Sequence, residues 1–346
     1  MNGRKTKIVA TIGAVDSNGS REKIYEMIKA GLDVARINFS HAKRQDVEKQ
    51  IKWIREISAD LRQKVHIMAD LSGPKVRLSE LKGDFYKIKK GDELGFAYGI
   101  KHGGRPILPV QFDFSSYVSP KQRIFVFDGK IELEVVAIVG KIVKVIAKND
   151  GYITSRNGIN LPDTSFVGDA LTGKDLKDLE FIKTQDFDWV GLSFVHSAED
   201  VTMLRKILRT QNKRIKIVAK IETKAAADQK NLTEIIKFSD GIVIARGDMM
   251  YEIEPELMPI IQQRAIKLCR EQKKFSVVAT QIAGSVVENS TPTRTEISDI
   301  SRVVLDGADY IMLSEETAIG RFPIEAVREI NRIAKVVAKC TKSDTP

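Results

Sequence analysis

Apolar residues recur along this chain in short runs, each closed by a polar loop and followed by a segment with helical spacing. Eight runs read as buried strands: KIVATIG (7–13), VARINFS (34–40), HIMADLS (66–72), WVGLSFV (189–195), KIVAKIE (216–222), GIVIARGD (241–248), FSVVATQ (275–281) and YIMLSEE (310–316). Between and after them, apolar residues return every three or four positions. Examples are REKIYEMIKAG, QDVEKQIKWIREI, AEDVTMLRKILRT, ELMPIIQQRAIKLCREQ and PIEAVREINRIAKVVAKC. Strand followed by helix, repeated in this way, predicts an α/β fold, a (β/α)8 TIM barrel rather than a doubly wound open sheet.

One connection breaks the rhythm. After the third strand the chain runs through YKIKKGDELGF, RIFVFDGKIELEVVAIVGKIVKVIAK and GYITSRNGINLP, short β-rich stretches punctuated by Gly, Asn and Asp. A small all-β domain inserted after strand three is expected. It divides the chain into a first barrel part at 1–78, the insertion at 79–172 and a second barrel part at 173–346. Loops after barrel strands face the active site, so the insertion is expected to act as a lid.

Composition narrows the classes. With 346 residues the chain can bury a large core without staples, and its apolar fraction of 42% is ordinary for a globular protein. The net charge of +10 raises nucleic-acid binding. However, Lys and Arg are spread over helix faces with no basic block interleaved with aromatics, so nucleic acid is not an expected partner. No apolar run approaches a membrane span, and no signal peptide precedes the first strand. Cys269 and Cys340 lie far apart and outside any CxxC spacing, so neither a zinc site nor a disulfide framework is indicated, and a reducing cytoplasm is the expected location.

Catalytic side chains of such a barrel come from the C-terminal ends of its strands. This chain offers Arg36, Asn38, Ser40, Asp70, Ser193, Lys220, Glu222, Asp248, Thr280, Ser314 and Glu316 there. Glu222 and Asp248, closing successive strands, make a divalent-metal pair plausible. Lys220, two residues before Glu222, points to the same face. A cation beside such a pair suits chemistry on phosphate or on an enolate. Gly247 and Asp248 could present backbone amides to an anion such as a carboxylate.

The segments TKIVATIG, GLDVARINFSHA, ADLSGPKVR, GINLP, SFVHSAEDV, IVAKIET, SDGIVIARGD, VVATQ, PTRTEISD and VLDGADYIMLSEETAIGRFPIEAV occur in the order seen in the pyruvate kinase family, which the chain closely resembles over nearly its whole length. The resemblance implies phosphoryl transfer from phosphoenolpyruvate to ADP, giving pyruvate and ATP through an enolate. It implies that Glu222 and Asp248 hold Mg2+ or Mn2+, and that Lys220 stabilises charge on the transferring phosphoryl group. Gly247, Asp248 and Thr280 would bind the substrate carboxylate, Thr280 lying close to the carbon that is protonated. Arg36 would clamp phosphate, with Ser193 and Ser314 lining the substrate site. Asn38, His41, Arg77 and Lys174 match nucleotide or phosphate contacts. The region of a monovalent cation would comprise Asn38, Ser40, Asp70 and Lys75.

Departures from the family pattern carry their own expectations. Lys75 stands where much of the family has a glutamate that accompanies potassium, and Leu71 and Leu78 replace threonines; the resemblance is to the potassium-independent branch, so potassium should not be required. Met249 and Met250 replace a leucine and a glycine, Glu315 replaces a glycine, Ile282 and Ala283 alter ATQML, and Phe127 replaces an acid beside Asp128. These bear on specificity and rate more than on reaction class. The family typically continues into a C-terminal α/β domain, whereas this sequence stops at Pro346. The expectation is a short form whose homo-oligomers, if formed, use barrel surfaces. Two other functions are compatible with the same residues: a metal-dependent lyase or aldolase acting on pyruvate or another 2-keto acid, and an impaired homologue with a binding or regulatory role.

Overall fold

The computed structural model describes residues 6–15, 20–40, 42–101, 106–127, 129–164, 170–209 and 214–343. The chain divides into two compact units: residues 1–73, 170–246 and 259–346 form the first, and residues 74–169 with 247–258 form the second.

In the first unit, eight parallel strands close into a barrel: Lys7–Thr11, Val34–Asn38, His66–Asp70, Trp189–Leu192, Lys216–Ile221, Gly241–Ala245, Phe275–Ala279 and Tyr310–Leu313. They are numbered one to eight below in that order. Successive strands pair directly, and the eighth returns to the first through Lys7↔Tyr310 to Ala10↔Leu313. The eight strands and the closed parallel barrel agree with the apolar pattern. The strands end earlier than that pattern suggests, because the backbone turns where the apolar residues give way to polar ones. The clearest difference is the run ending in Asp248: the strand stops at Ala245, and Arg246–Glu252 is helical, placing Asp248 in the first turn of a helix rather than at a strand end.

Helix boundaries follow local signals. Thr172 with Asp175 and Thr293 with Glu296 form capping boxes, each side chain satisfying the other's backbone N–H. The helix Arg294–Asp306 ends at Gly307, whose φ of 88° is a left-handed C-cap that a residue with a Cβ adopts only with strain. The barrel interior is filled by Val9, Met68, Val218, Val243, Val277 and Met312, among others. Toward the N-terminal strand ends an aromatic plug forms: Trp189 stacks on Phe275 at 4.6 Å between ring centres and meets Tyr310 edge-on at 5.2 Å. Burial there pushes the Tyr310 phenol up to about 12.

The second unit is built mainly from a seven-stranded sheet in the order 76–77, 158–160, 123–126, 131–139, 142–147, 93–98 and 107–110. A two-stranded ribbon pairs 85–88 with 151–154. The hairpin between Ile131–Val139 and Ile142–Ala147 closes through Gly140 and Lys141, with Gly140 at a φ of 61° that suits a tight two-residue turn. Its own apolar core, including Leu94, Phe96, Leu108, Phe114, Leu133 and Val145, lets it stand as a separate packing unit. Among the described residues no helix is long and apolar enough to cross a membrane.

Candidate functional site

At the C-terminal strand ends of the barrel, side chains of opposite charge interlock away from solvent. Arg36, from strand two, is only 9% exposed. Its Nε and Nη2 both donate to Asp70 Oδ2, at 2.8 and 2.5 Å, while Nη1 donates to Thr11 Oγ1 at 2.7 Å. Thr11 in turn donates to the carbonyl of Leu313 at 2.9 Å, so strands one, two, three and eight hold one guanidinium. A charge this buried persists only because it is paired and hydrogen-bonded.

Lys220, from strand five, extends into the same region. Its Nζ donates to Ser193 Oγ at 2.9 Å and lies 3.4 Å from Glu222 Oε2 and 3.8 Å from Asp70 Oδ1. Ser193 passes the interaction on, donating to the carbonyl of Leu71 at 2.7 Å. Glu222 is fully buried just beyond the strand end, and its Oε1 accepts the Phe194 amide at 2.7 Å. The expectation that Lys220 and Glu222 share a face therefore holds. The set contains two cations and two carboxylates, a balanced arrangement able to take up an anionic substrate together with a metal ion.

On the opposite strands, Thr280 has a φ of 65°, unusual for a β-branched residue, and its Oγ1 donates to the carbonyl of Ala279 at 2.6 Å. Arg246 underlies that turn. Its Nε and Nη2 each reach the Thr280 carbonyl at 3.1 Å, Nη2 also donates to the Gln281 carbonyl at 2.7 Å, and the guanidinium forms a two-point pair with Asp299 at 3.1 and 2.9 Å. Arg246 carries no role in the sequence expectations, although it stands in ARGD. The signal available was an arginine following the apolar run, two residues before the carboxylate of interest.

Ser314 donates its backbone N–H to Glu316 Oε2 at 2.7 Å, and Glu316 is 4% exposed. Glu315, by contrast, is exposed at the start of the short helix Glu315–Ala318. Asn38 Oδ1 accepts the Ser40 amide at 3.0 Å, fixing the turn after strand two. The Lys174 ammonium joins that turn, donating to the Phe39 carbonyl at 2.6 Å and to Asp178 at 2.5 Å. His41 and Asp128 lie outside the described residues.

The second unit contains the remaining candidates. Lys75 Nζ lies 2.5 Å from Asp248 Oδ1, with Asn160 Nδ2 at 3.3 Å from the same oxygen. Asp248 also sits in the first helical turn, where negative charge is favoured. Arg77 donates to the carbonyl of Arg156 at 3.2 Å.

Residues 3–327 match the family described as pyruvate kinase, barrel domain. This chain belongs to the pyruvate kinase family. It is 38% identical over 340 residues to a pyruvate kinase of Thermococcus litoralis, an alignment covering 98% of this chain and 71% of that protein. A pyruvate kinase of Thermotoga maritima is 37% identical over 337 residues, covering 97% and 72%. One from Corynebacterium efficiens is 37% identical over 333 residues, covering 96% and 69%. Within this pyruvate kinase fold the substituted Met249 is fully buried and Met250 partly so. Ile282 and Ala283 are likewise buried, so these departures are packed residues rather than exposed ones.

Proposed function

We propose that this chain transfers the phosphoryl group of phosphoenolpyruvate to ADP and releases pyruvate and ATP. The observation that carries this reading is the Lys220 ammonium, drawn between Ser193 Oγ, Glu222 and Asp70 at the barrel mouth beside a buried, two-point-bound Arg36. Such preorganised cations stabilise negative charge that develops on oxygen during transfer. In the reaction the ester P–O bond breaks, a bond forms between that phosphorus and the terminal oxygen of ADP, and the enolate carbon then takes a proton.

Each residue has a part in that sequence. Lys220 neutralises the phosphoryl and enolate oxygens, and Arg36 clamps phosphate. Ser193 positions Lys220, with Ser314 also lining the substrate site. Thr280 and the Gly247 and Asp248 amides hold the carboxylate, the Thr280 hydroxyl lying near the protonated carbon. Asn38, His41, Arg77 and Lys174 are assigned to nucleotide or phosphate. The β-rich unit is assigned, on the resemblance, the part of a lid.

The family implies a divalent metal. Among the described residues no cluster of three or more His, Cys, Asp or Glu gathers as a cage. Magnesium asks for less: one or two carboxylates, the remaining positions being filled by water and phosphate oxygen. The buried oxygen donor Glu222 fits that requirement, and Asp248 is proposed as the second ligand, for Mg2+ or Mn2+. When bound, the metal would supply electrostatic neutralisation of phosphate charge. Lys75, paired with Asp248, supports a built-in positive charge and hence activity without potassium. A cytoplasmic location completes the reading.

The test is a lactate-dehydrogenase-coupled assay with magnesium, tetramethylammonium as the monovalent cation, and Lys220→Met alongside wild type. ADP-dependent pyruvate formation by wild type alone is expected. Equal signals from both proteins would overturn the assignment, and a strong potassium requirement would overturn the role of Lys75. The lyase alternative would instead give no pyruvate from phosphoenolpyruvate and ADP, and would release it only from an added 2-keto acid whose carbon–carbon bond it cleaves.

A further inference from the structure

A concavity of about 590 Å³ opens on the N-terminal ends of strands five to eight, the end of the barrel away from the catalytic strand ends. Its wall includes Lys216, Arg270, Lys273 and Lys274, the acids Asp240 and Asp309, and the ring of Phe275. The volume lies in the range of small-molecule sites.

The charges in this concavity are unevenly satisfied. Asp240 accepts Arg205 at 2.8 Å, Arg214 at 2.9 Å and the Ile217 amide at 2.9 Å, so two guanidinium groups already neutralise it. Asp309 accepts the amide and hydroxyl of Ser276 at 2.9 and 3.3 Å. Lys274 is engaged by backbone, donating to the carbonyls of Lys237 and Ser239. Lys216, Arg270 and Lys273 are exposed, and among the described residues none of the three has a carboxylate within ion-pair distance. Lys216 instead lies over the Phe275 ring at 5.7 Å. The result is an excess of positive charge around a small-molecule-sized hollow with one aromatic wall. Focused potential of this kind raises the local concentration of anions.

We propose that this hollow is a second anion site, distinct from the catalytic one, that takes a small molecule carrying two or more phosphate groups. Arginine offers a fork matched to phosphate, and two lysines add point charges around it. One phosphate would leave most of the volume empty, whereas a linear polyphosphate or a bisphosphorylated small molecule can reach several of the cations. The Phe275 edge would face the organic part of such a ligand.

Isothermal titration of the whole chain with inorganic tripolyphosphate tests this, comparing wild type with Arg270→Ser/Lys273→Asn. Asparagine is chosen because Lys273 has a φ of 57°, a conformation Asn tolerates. The double variant should bind at least tenfold more weakly, with its melting temperature without ligand and its turnover rate unchanged. Lys220→Met should retain the tripolyphosphate event at full strength, which separates this site from the catalytic one. Identical isotherms for wild type and the double variant would overturn the proposal, as would loss of the event in Lys220→Met.

Discussion

The two ends of the barrel use acidic residues in opposite ways. At the N-terminal end the pattern repeats. Asp33, Asp188, Asp240 and Asp309 each stand directly before an even-numbered strand, and each carboxylate accepts an amide of the preceding odd-numbered strand: Ile8 at 2.8 Å, and Ile67, Ile217 and Ser276 each at 2.9 Å. In three of them the aspartate amide answers by donating to the same residue's carbonyl, which makes a closed clamp. At the C-terminal end nothing repeats. Asp70 holds an arginine, Glu222 an amide and a lysine, and Glu316 two amides. Repetition suits a part whose task is to fix strand register, since every strand pair poses the same geometric problem. Irregularity suits a part shaped around one reaction, and it accords with stability residing at one end of such barrels and chemistry at the other.

Substitutions at the two ends should therefore separate activity from stability. The largest effect is expected from Lys220→Met, which should lower kcat by about 1000-fold or more while leaving the melting temperature nearly unchanged. Steady-state kinetics with a thermal melt on the same sample checks both halves. Equal loss of stability would erase the distinction between the ends. Arg36→Lys should come next, with roughly a 10- to 100-fold loss in kcat/KM, because an ammonium cannot reproduce the paired contacts to Asp70 and Thr11.

Asp188→Asn should show the reverse profile: little change in kcat at low temperature but a loss of about 1–3 kcal/mol in urea unfolding. Burial pushes this carboxyl up, yet His66, Arg55 and the Ile67 amide outweigh it and hold the group well below the usual carboxylate range. A depressed folded-state value contributes stability above the unfolded value, near 4, and that stability is lost as pH falls toward the folded value. The gap between wild type and Asp188→Asn should therefore be full at neutral pH and shrink below about pH 4. Unfolding curves at neutral and acidic pH measure it, and a constant gap would place the effect in packing instead of charge. The smallest effect is expected for Thr11→Val, which removes one of the contacts to Arg36: a few-fold rise in KM for phosphoenolpyruvate with stability lowered by about 1 kcal/mol. An unchanged KM would show that Asp70 alone orients the guanidinium.

Much of the barrel is legible in the chain because alternation and helical spacing are set by neighbours a few residues apart. The strand segments, the β-rich insertion and the polar residues at strand ends can all be read this way. So can the pairing of Lys220 with Glu222, since two residues along a strand return to one face. Local pattern does not extend to contacts closed over long distances. Thr11 meets Leu313 across 302 positions and Arg36 meets Asp70 across 34, and only barrel closure brings them together. Asp248 illustrates the limit from the other side. Its apolar run reads as a strand to the end, yet the chain turns helical at Arg246 and the carboxylate pairs with Lys75, 173 positions away, in the second unit. The aspartate clamps were visible as an Asp before each even strand, in LDV, FDW, SDG and ADY, but their meaning was not. An isolated Asp before a strand is compatible with many turns, and only the paired neighbouring strand supplies the amide that makes it a clamp.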